Sequence, residues 1–589
     1  IEVLPQNNRN FLAFADLAPG VQFLTNSANQ TSLRGGAQGA NAINIFIDGI
    51  GQKDYVLKGG ITGQDTTQGN PFPQLAIGEY RVISSNYKAE YDQVSSVAIT
   101  AVTKSGTNEF HGEGFFDFTN QSLRDRLPRE NFPTYIPKVR TKDMQFGGAL
   151  GGPIIKDVLH FFVTYEGKRR VEPREIKPGL DLPVSFFPDR YQGAFGARSS
   201  SFNEDLYFGK INFTPTSNDL FEFSLKYRDE SGEELNNGFA AAETATITKV
   251  KEWRGLARWE HTADTWVNDF KVAYEDVSWG PKPVNFGNVS LFNAVLPAVP
   301  PATGTRRGDI LRIGAGSNFQ DKGQKGWQVS NDFTWTGLES HTFKVGVKAK
   351  WVELNANTQN QNPLFTYNVS YAPGGAFNDT IPYRMTFNAP VNGGDPNITS
   401  KNFQFGVYAQ DDWEIDDRLT LNIGLRWDYE RTPSFLNYQH DPAIAEFVAG
   451  RASYTAPNGV VTPPYANLAN ANYDIDDYIS TGNERKAFKG AWQPRLGFTY
   501  ALDEEKRFAI FGGYGRSYDR TQFDFIQQEL AQGLFAGRTF NFNNGDADNP
   551  CTPSATCIPW NPVYLTPEGR SALVAGLAPG AGRELRFIK

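Results

Sequence analysis

Apolar and polar side chains take turns along much of this chain. In residues 418–430, Leu419, Leu421, Ile423, Leu425, Trp427 and Tyr429 fall on one face of an extended segment. Arg418, Thr420, Asn422, Arg426, Asp428 and Glu430 fall on the other. A period of two is that of a β-strand, and a wholly polar second face excludes a strand buried on both sides. Residues 220–228 repeat the pattern, with Phe221, Phe223, Leu225 and Tyr227 opposing Glu222, Ser224, Lys226 and Arg228. In residues 341–351, Phe343, Val345, Val347, Ala349 and Trp351 oppose Lys344, Lys348 and Lys350. Further strands are predicted near 159–165, 206–213, 253–259, 266–274, 403–412, 496–500 and 508–514. Several run about 10 residues, the length that crosses a hydrocarbon core when tilted. Trp253, Trp259, Trp266, Trp279, Trp335, Trp351, Trp413 and Trp427 gather near strand ends, where interfacial aromatic girdles sit. A soluble antiparallel sheet with one wet face uses the same alternation, so the strands alone do not separate the two.

The connections do. Short ones fall at 153–157, 215–219, 262–264, 337–340, 415–417 and 503–506, rich in the Gly, Asp, Asn and Pro that supply turn geometry. Long ones lie between them, at 120–143, 169–204, 229–249, 281–325, 355–401, 431–491 and after 517. Short and long alternate strictly. A soluble sandwich has no reason to keep that parity. A membrane-crossing barrel does, because tight turns emerge on one side and long loops on the other. Loops beyond about 15 residues without structure are uncommon in compact domains and are usually functional. The predicted fold is therefore a transmembrane antiparallel β-barrel over residues 110–589, with long extracellular loops. About thirteen strands are counted up to Tyr514, an odd number that would leave two edges unpaired in lipid. The last barrel strands are expected beyond Lys589.

Composition narrows the function. The mean hydropathy is −0.46, and no run of 18 apolar residues occurs, which excludes helical spans but not a barrel with a polar inner face. Aromatic residues at 14% suit lipid-facing strands and binding loops. A net charge of −8 argues against nucleic acid, which calls for a basic face. The two cysteines, Cys551 and Cys557, lie close together on a connection that parity places outside the cell. A local disulfide is expected there, with two unrelated thiols as the alternative. No histidine or further cysteine lies near enough in sequence to complete a zinc site. The histidines at 111, 160, 261, 341 and 440 are scattered, and neither HExxH nor Gly-x-Ser-x-Gly occurs, so no catalytic, metal or cofactor site is predicted. Gly147-Gly148 and Gly151-Gly152 lack the Gly-Lys-Ser/Thr ending of a phosphate loop and read as close backbone packing. The carboxylate-and-amide run at 543–549 lacks the spacing of a calcium loop and reads as solvated.

Residues 1–109 are different: Gly- and Asn-rich, with short strands and no membrane-length alternation. Ile43, Ile45 and Ile47 alternate and end at Asp48-Gly49, a hairpin turn pair. Residues 80–83 and 97–102 read as further short strands, followed by the polar run Thr103-Lys104-Ser105-Gly106-Thr107-Asn108. A small mixed α/β domain ahead of a large barrel has a place in the lumen, since barrels of roughly 22 strands are plugged in this way. The charges Arg34, Glu79, Glu90 and Lys104 either pair with inward-facing barrel residues or form ordinary solvated surface. Such pairs would hold the domain yet release under pull, being modest in a wet lumen.

These residues carry a resemblance. The start Val3-Leu4-Pro5-Gln6-Asn7-Asn8-Arg9-Asn10-Phe11, then Leu17-Ala18-Pro19-Gly20-Val21, resembles the plug opening of TonB-dependent outer-membrane receptors of the Oar-like group. Leu33-Arg34-Gly35-Gly36 with Asn44-Ile45-Phe46-Ile47-Asp48-Gly49 is similar to the plug core of that family. Tyr87-Lys88-Ala89-Glu90-Tyr91 leading to residues 102–108 is similar to its closing motif. Tyr408-Ala409-Gln410-Asp411-Asp412-Trp413, residues 419–428, and Pro494-Arg495-Leu496-Gly497-Phe498 resemble its barrel hairpins. The resemblance implies a plug motif of Arg34, Gly35, Asp48, Gly49, Thr103, Lys104 and Gly106. It also implies active uptake of a scarce ligand across a bacterial outer membrane, energised by a TonB–ExbB–ExbD complex acting on the plug from the periplasm. The TonB box is expected just before Ile1, and the carboxypeptidase-regulatory-like domain that often precedes the plug is not in this sequence. Cargo is expected to be a peptide, a protein or an oligosaccharide. Loops 355–401 and 431–491 are favoured for binding, since the Asn, Tyr and Phe of 355–371 suit stacking with amide hydrogen bonds. A surface lipoprotein over the loops is a further candidate partner. The alternative reading is a surface-assembly or adhesion protein whose barrel only anchors its loops.

Overall fold

The computed structural model describes residues 9–577 except 27–28, 37, 57–66, 85–87, 127–129, 131–137, 236–237, 298–304, 359–361, 370–376, 392, 437–453, 456–460, 463–485, 520–521 and 546–550. The opening motif up to Asn8, Tyr87, most of loop 431–491 and residues 546–549 of the carboxylate-and-amide run lie outside the described residues.

The chain begins with a small unit built on short strands. Asn10 caps a 3-10 helix, Phe11–Leu17, by accepting from the amide of Leu12 at 3.1 Å. Strands β1 (Val21–Thr25) and β2 (Thr31–Gly35) form a hairpin. Strands β3 (Asn44–Ile47), β4 (Ile50–Gly51), β5 (Ile77–Ile83) and β6 (Ala98–Thr103) make a sheet in the order β4-β3-β6-β5, with β3 and β6 parallel. Asp48 and Gly49 both have positive φ, 49° and 81°, as the two-residue turn between β3 and β4 requires. The expected mixed α/β character is corrected in one respect. Among the described residues of this unit the helices are 3-10 segments, at Phe11–Leu17, Ala40–Ala42 and Gln74–Ala76. A Gly- and Asn-rich segment gives up too much backbone entropy to hold a longer α-helix. Its core joins Phe11, Leu12, Leu33, Ile43, Ile45, Ile47, Phe72, Ile77 and Ile99.

The next strands form one antiparallel meander. They are β7 (His111–Asn120), β8 (Lys142–Ile155), β9 (Leu159–Ile176), β10 (Gly196–Phe213), β11 (Asp219–Glu234), β12 (Thr246–Thr262) and β13 (Trp266–Pro283). Two strands of a separate sheet follow, β14 (Val289–Pro297) and β15 (Thr305–Gly314), before the meander resumes with β16 (Asp321–Trp335) and β17 (His341–Asn357). After β18 (Leu364–Val369) and β19 (Arg384–Pro390) come β20 (Ile398–Glu414) and β21 (Leu419–Arg431). The short pair β22 (Tyr454–Thr455) and β23 (Val461–Thr462) precedes β24 (Ala491–Ala501) and β25 (Ala509–Gly515). Thirteen of these, from β7 to β25, make a single sheet in which every neighbour is the next meander strand. Every turn at one end is short, and every long connection leaves from the other.

This wall is inside out. Along β21, Leu425 is 46% exposed while its neighbour Arg426 is 2% exposed. Leu225, Val345, Trp351, Ile423 and Leu496 also face outward, and Glu204, Lys226, Arg228, Glu252, Arg254, Lys350 and Gln493 are buried. An exposed apolar band over a buried polar face is what a lipid-facing strand needs and a soluble sheet avoids.

Two features depart from the sequence reading. Meander strands reach 18 residues, as in β9, β10 and β13, so several project well past a hydrocarbon core. The long connections also build their own sheet. Strands β14, β15, β18 and β19 join β26 (Phe535–Phe542) and β27 (Cys557–Ile558) in the order β15-β14-β18-β19-β26-β27. Its core collects Ile176, Phe187, Phe292, Leu311, Phe365, Tyr367, Met385, Phe387, Phe540 and Phe542 from four separate connections. Cys551 and Cys557 are joined as a disulfide at the start of β27.

A charge on the outward face tests its environment. Leu425→Arg is expected to cost about 2–4 kcal/mol in urea unfolding measured in lipid bilayers, the figure for a midplane lipid contact. Phe286→Arg, at a side chain 64% exposed beside the loop-built sheet, is expected to stay within about 0.5 kcal/mol. Equal costs would mean that the outward face of β21 does not meet lipid.

Candidate functional site

The N-terminal unit touches the polar face of the wall from β8 to β21, so the sheet wraps around it. Much of the contact is made by wall side chains accepting from loop amides of the unit. Glu204 on β10 accepts from the amide of Asn70 at 2.7 Å, Glu166 on β9 from Leu75 at 2.6 Å, and Gln324 on β16 from Tyr55 at 2.8 Å. A unit rich in loops carries backbone donors that its own short strands leave over, and a buried donor must find an acceptor. The seam also has apolar contacts: Phe72 meets Phe208 of β10 with ring centroids 5.2 Å apart, Phe162 of β9 joins the core of the unit, and Tyr55 and Val56 pack with Val352 and Leu354 of β17.

The strongest feature is a charged clasp at residues 88–92. Alternate side chains of Lys88-Ala89-Glu90-Tyr91-Asp92 reach three strands of the wall. Lys88 pairs with Asp412 on β20, Glu90 with Lys344 on β17, and Asp92 with Lys348 on β17. Arg426 on β21 lies 3.8 Å from Asp92, and its Nη1 donates to the carbonyl of Ala89 at 3.3 Å. The wall makes room at Gly424, where an added Cβ would sit 2.9 Å from that of Ala89. Tyr91 points the other way, against Phe46 at 5.4 Å, and burial, with Glu90 adding to it and Arg81 opposing, pushes its hydroxyl pKa up to about 12. The pairs differ in weight. Lys88 is more than a third exposed, so solvent screening holds its pair to about 1 kcal/mol or less. Asp92, Lys348 and Arg426 are largely buried, and stripping one partner from such a group costs about 3–5 kcal/mol.

Behind the clasp the wall carries a ladder of its own. Arg254 bridges Glu252 at 2.5 Å and Glu275 at 2.6 Å, Lys226 pairs with Glu252 at 2.8 Å, and Lys350 with Glu275 at 2.9 Å. Arg258 bridges Glu222 at 2.6 Å and Asp269 at 2.8 Å.

The residues singled out in the sequence divide into groups. Asp48 and Thr103 come together: the Asp48 carboxylate accepts from the Thr103 amide at 2.9 Å and hydroxyl at 2.7 Å, and Lys210 of β10 donates to that hydroxyl at 3.2 Å. Gly49 lies against Lys271 of β13, whose Cε would be 3.1 Å from an added Cβ. Lys104 pairs with Glu113 on β7 at 2.7 Å. Gly106 passes so close to β9 that a Cβ would fall 2.3 Å from the carbonyl of Phe161. Gly35 packs on Val97 within its own unit. Arg34 is exposed on β2, and Glu79 pairs with Arg81 of the same unit at 2.9 Å. Of the four charges named, Glu90 and Lys104 reach the wall. Asp92 and Lys53 were not singled out; Glu90, the inward basic face of 341–351 and Arg426 on the polar face of 418–430 were the signals that pointed toward the clasp.

Comparisons with known proteins agree with this geometry. A family model described as an outer membrane beta barrel domain matches residues 102–177 and 182–584. The TonB-dependent transporter Oar of Myxococcus xanthus is 22% identical over 497 residues, covering 72% of this chain and 45% of that protein. The chain thus spans about half the length of that curated relative. The crystal structure of the outer membrane transporter YddB from Escherichia coli superposes with a TM-score of 0.59 at 13% identity, over 91% of this chain and 62% of that one. Both relatives are transporters rather than enzymes. With the family model matching most of its length, the chain belongs to the outer membrane β-barrel domain family, a protein of the bacterial outer membrane related to TonB-dependent transporters.

Proposed function

We propose that the protein is an outer-membrane active transporter in which residues 1–109 are a plug and the meander from residue 110 is part of a closed barrel of the 22-stranded type. Among the described residues the sheet has its edges at β7 and β25, and unpaired edges cannot stand in lipid, which supports a closed barrel. Long loops and the upper plug capture a scarce ligand, and a TonB–ExbB–ExbD complex supplies the pull that moves the plug. The observation that carries this reading is the clasp. Residues 88–92 are bound to the wall by ion pairs, contacts that can be exchanged for water as the unit moves. Peptide, protein or oligosaccharide cargo suits the aromatic and amide side chains of the loops. The loop-built sheet favours a second reading, a surface-assembly or adhesion protein whose barrel is an anchor.

A lock distinguishes the two. Ala89→Cys with Gly424→Cys places two thiols near disulfide spacing across the seam. The oxidised protein is expected to bind at the surface, yet fail to take up, the cargo that co-purifies from its native membrane and is identified by mass spectrometry. Reductant is expected to restore entry. Unchanged cargo entry into cells carrying only the locked protein would show that the cargo enters by another route, which leaves the anchor reading.

The clasp itself is expected to govern plug release. Glu90→Gln with Asp92→Asn strips counter-charges from Lys344, Lys348 and Arg426, and is expected to weaken the seam by about 3 kcal/mol. Conductance in planar bilayers should then open at lower urea than in the unaltered protein. An unchanged urea threshold would show that the clasp does not hold the plug.

A further inference from the structure

Where β8 to β12 face outward, the wall has a hollow of about 800 Å³. Its rim is apolar and open to the side: Leu150, Val163, Tyr207, Leu225 and Trp253 are each between 45% and 52% exposed. Gly209 of β10 forms the floor, flanked in register by Val163 of β9 and Leu225 of β11, and Gly255 of β12 lies beyond Leu225. One step nearer the long loops, Tyr165, Tyr207, Tyr227 and Trp253 stand side by side, with successive ring centroids 4.9, 6.0 and 4.1 Å apart. The Tyr165 hydroxyl donates to Asp205 at 2.7 Å and that of Tyr227 to Asp229 at 3.0 Å. Those carboxylates pair with Arg169 at 2.7 Å and with Lys251 at 3.8 Å. The aromatic row therefore separates a charged level from an apolar one, as an interfacial girdle does, and the hollow lies on the hydrocarbon side.

The protein's own packing does not demand glycine there. A Cβ at Gly209 would meet Val163 Cγ1 at 3.8 Å, and one at Gly255 the Ser224 carbonyl at 4.0 Å, both ordinary contact distances. Neither glycine has a positive φ. Glycine inside a strand weakens it and often marks a place where something else comes close. At this depth the neighbour of the wall is lipid, the medium that the apolar band meets on either side of the hollow. A dip that nothing entered would leave its lining without contacts on one side.

We propose that the hollow is a fixed site for one acyl chain of a membrane phospholipid, laid over Gly209 beneath the aromatic row, with its head group among the paired charges above. Val345 of β17 and Leu425 of β21 project from the band instead, 47% and 46% exposed, so lipid beside them exchanges freely. The site depends on the outward face meeting lipid and on no reading of the cargo.

A phosphatidylcholine carrying a diazirine midway along one chain tests this, on the full chain in bilayers of otherwise unlabelled phosphatidylcholine. Adducts mapped by mass spectrometry allow two like pairs to be compared, Val163 with Val345 and Leu225 with Leu425. The residues of the hollow are expected to label more by about tenfold, since a seated chain is held by contacts that a passing one lacks. Gly209→Leu fills the floor and should bring Val163 and Leu225 down to the level of Val345 and Leu425. Unchanged labelling of that second pair shows that the wall is inserted. Gly209→Ala, for which there is room, should give an intermediate drop, and it decides alone if Gly209→Leu fails to insert. The proposal is overturned if the two pairs label alike in the unaltered protein, which is passing lipid only, or if the variants label like it. Labelling of Val163 that falls as the protein-to-lipid ratio rises would also overturn it, by assigning the hollow to a second copy of the chain.

Discussion

A wall that turns its apolar side chains outward must turn its charges inward, and inward charges have to be answered. Burying an unpaired carboxylate or ammonium costs several kcal/mol, far more than one neutral hydrogen bond contributes. Much of the architecture follows from that single demand. Arg254 spans two glutamates because a guanidinium offers a fork of donors where an ammonium offers a point charge. Glu204, 3.4 Å from Arg228, also accepts an amide of the N-terminal unit because one base does not use all its lone pairs, and Glu166 accepts another. The unit is thus as much a counter-ion for the wall as a domain enclosed by it.

The same demand explains why the unit is poor in regular helix and rich in loops. Loops expose amides and carbonyls at irregular spacing, which suits a wall whose acceptors come from many strands. Glycines at Gly49 and Gly106 let its backbone approach the wall more closely than any Cβ allows. The contact is dispersed and largely polar, with Phe72 against Phe208 and Tyr55 and Val56 against Val352 and Leu354 as apolar anchors. A seam built this way is held firmly when every pair is made, yet yields in small steps.

Much of this was legible in the chain, and the rest was not for identifiable reasons. The alternation in 418–430 predicted which side of β21 faces out, because one residue of slip would reverse every side chain. The parity of the connections predicted the meander, since it depends only on where turn residues fall. The pairing of the Asp48 turn with Thr103 was hidden, because the two lie 55 positions apart and neither belongs to a periodic pattern. Lys53 was invisible for the same reason. The loop-built sheet escaped notice because four of its six strands run eight residues or fewer and its partners come from different connections. Phe292, Phe365, Phe387 and Phe540 meet only once the wall has brought their loops to one end.

That last point bears on how the two ends of the molecule are joined. A loop that folds only against other loops has stability set jointly by all of them, so a change in one is felt by its neighbours. Strand β26 lies within that sheet, and the helix before it is packed on Tyr55, Val56 and the inner face of β17. A rigid element fixed at both ends passes displacement along its length, whereas a flexible linker absorbs it. The buried pair of Lys322 with Asp524 holds the first turn of the helix to β16. The arrangement places the outer sheet, the wall and the N-terminal unit on one mechanical line.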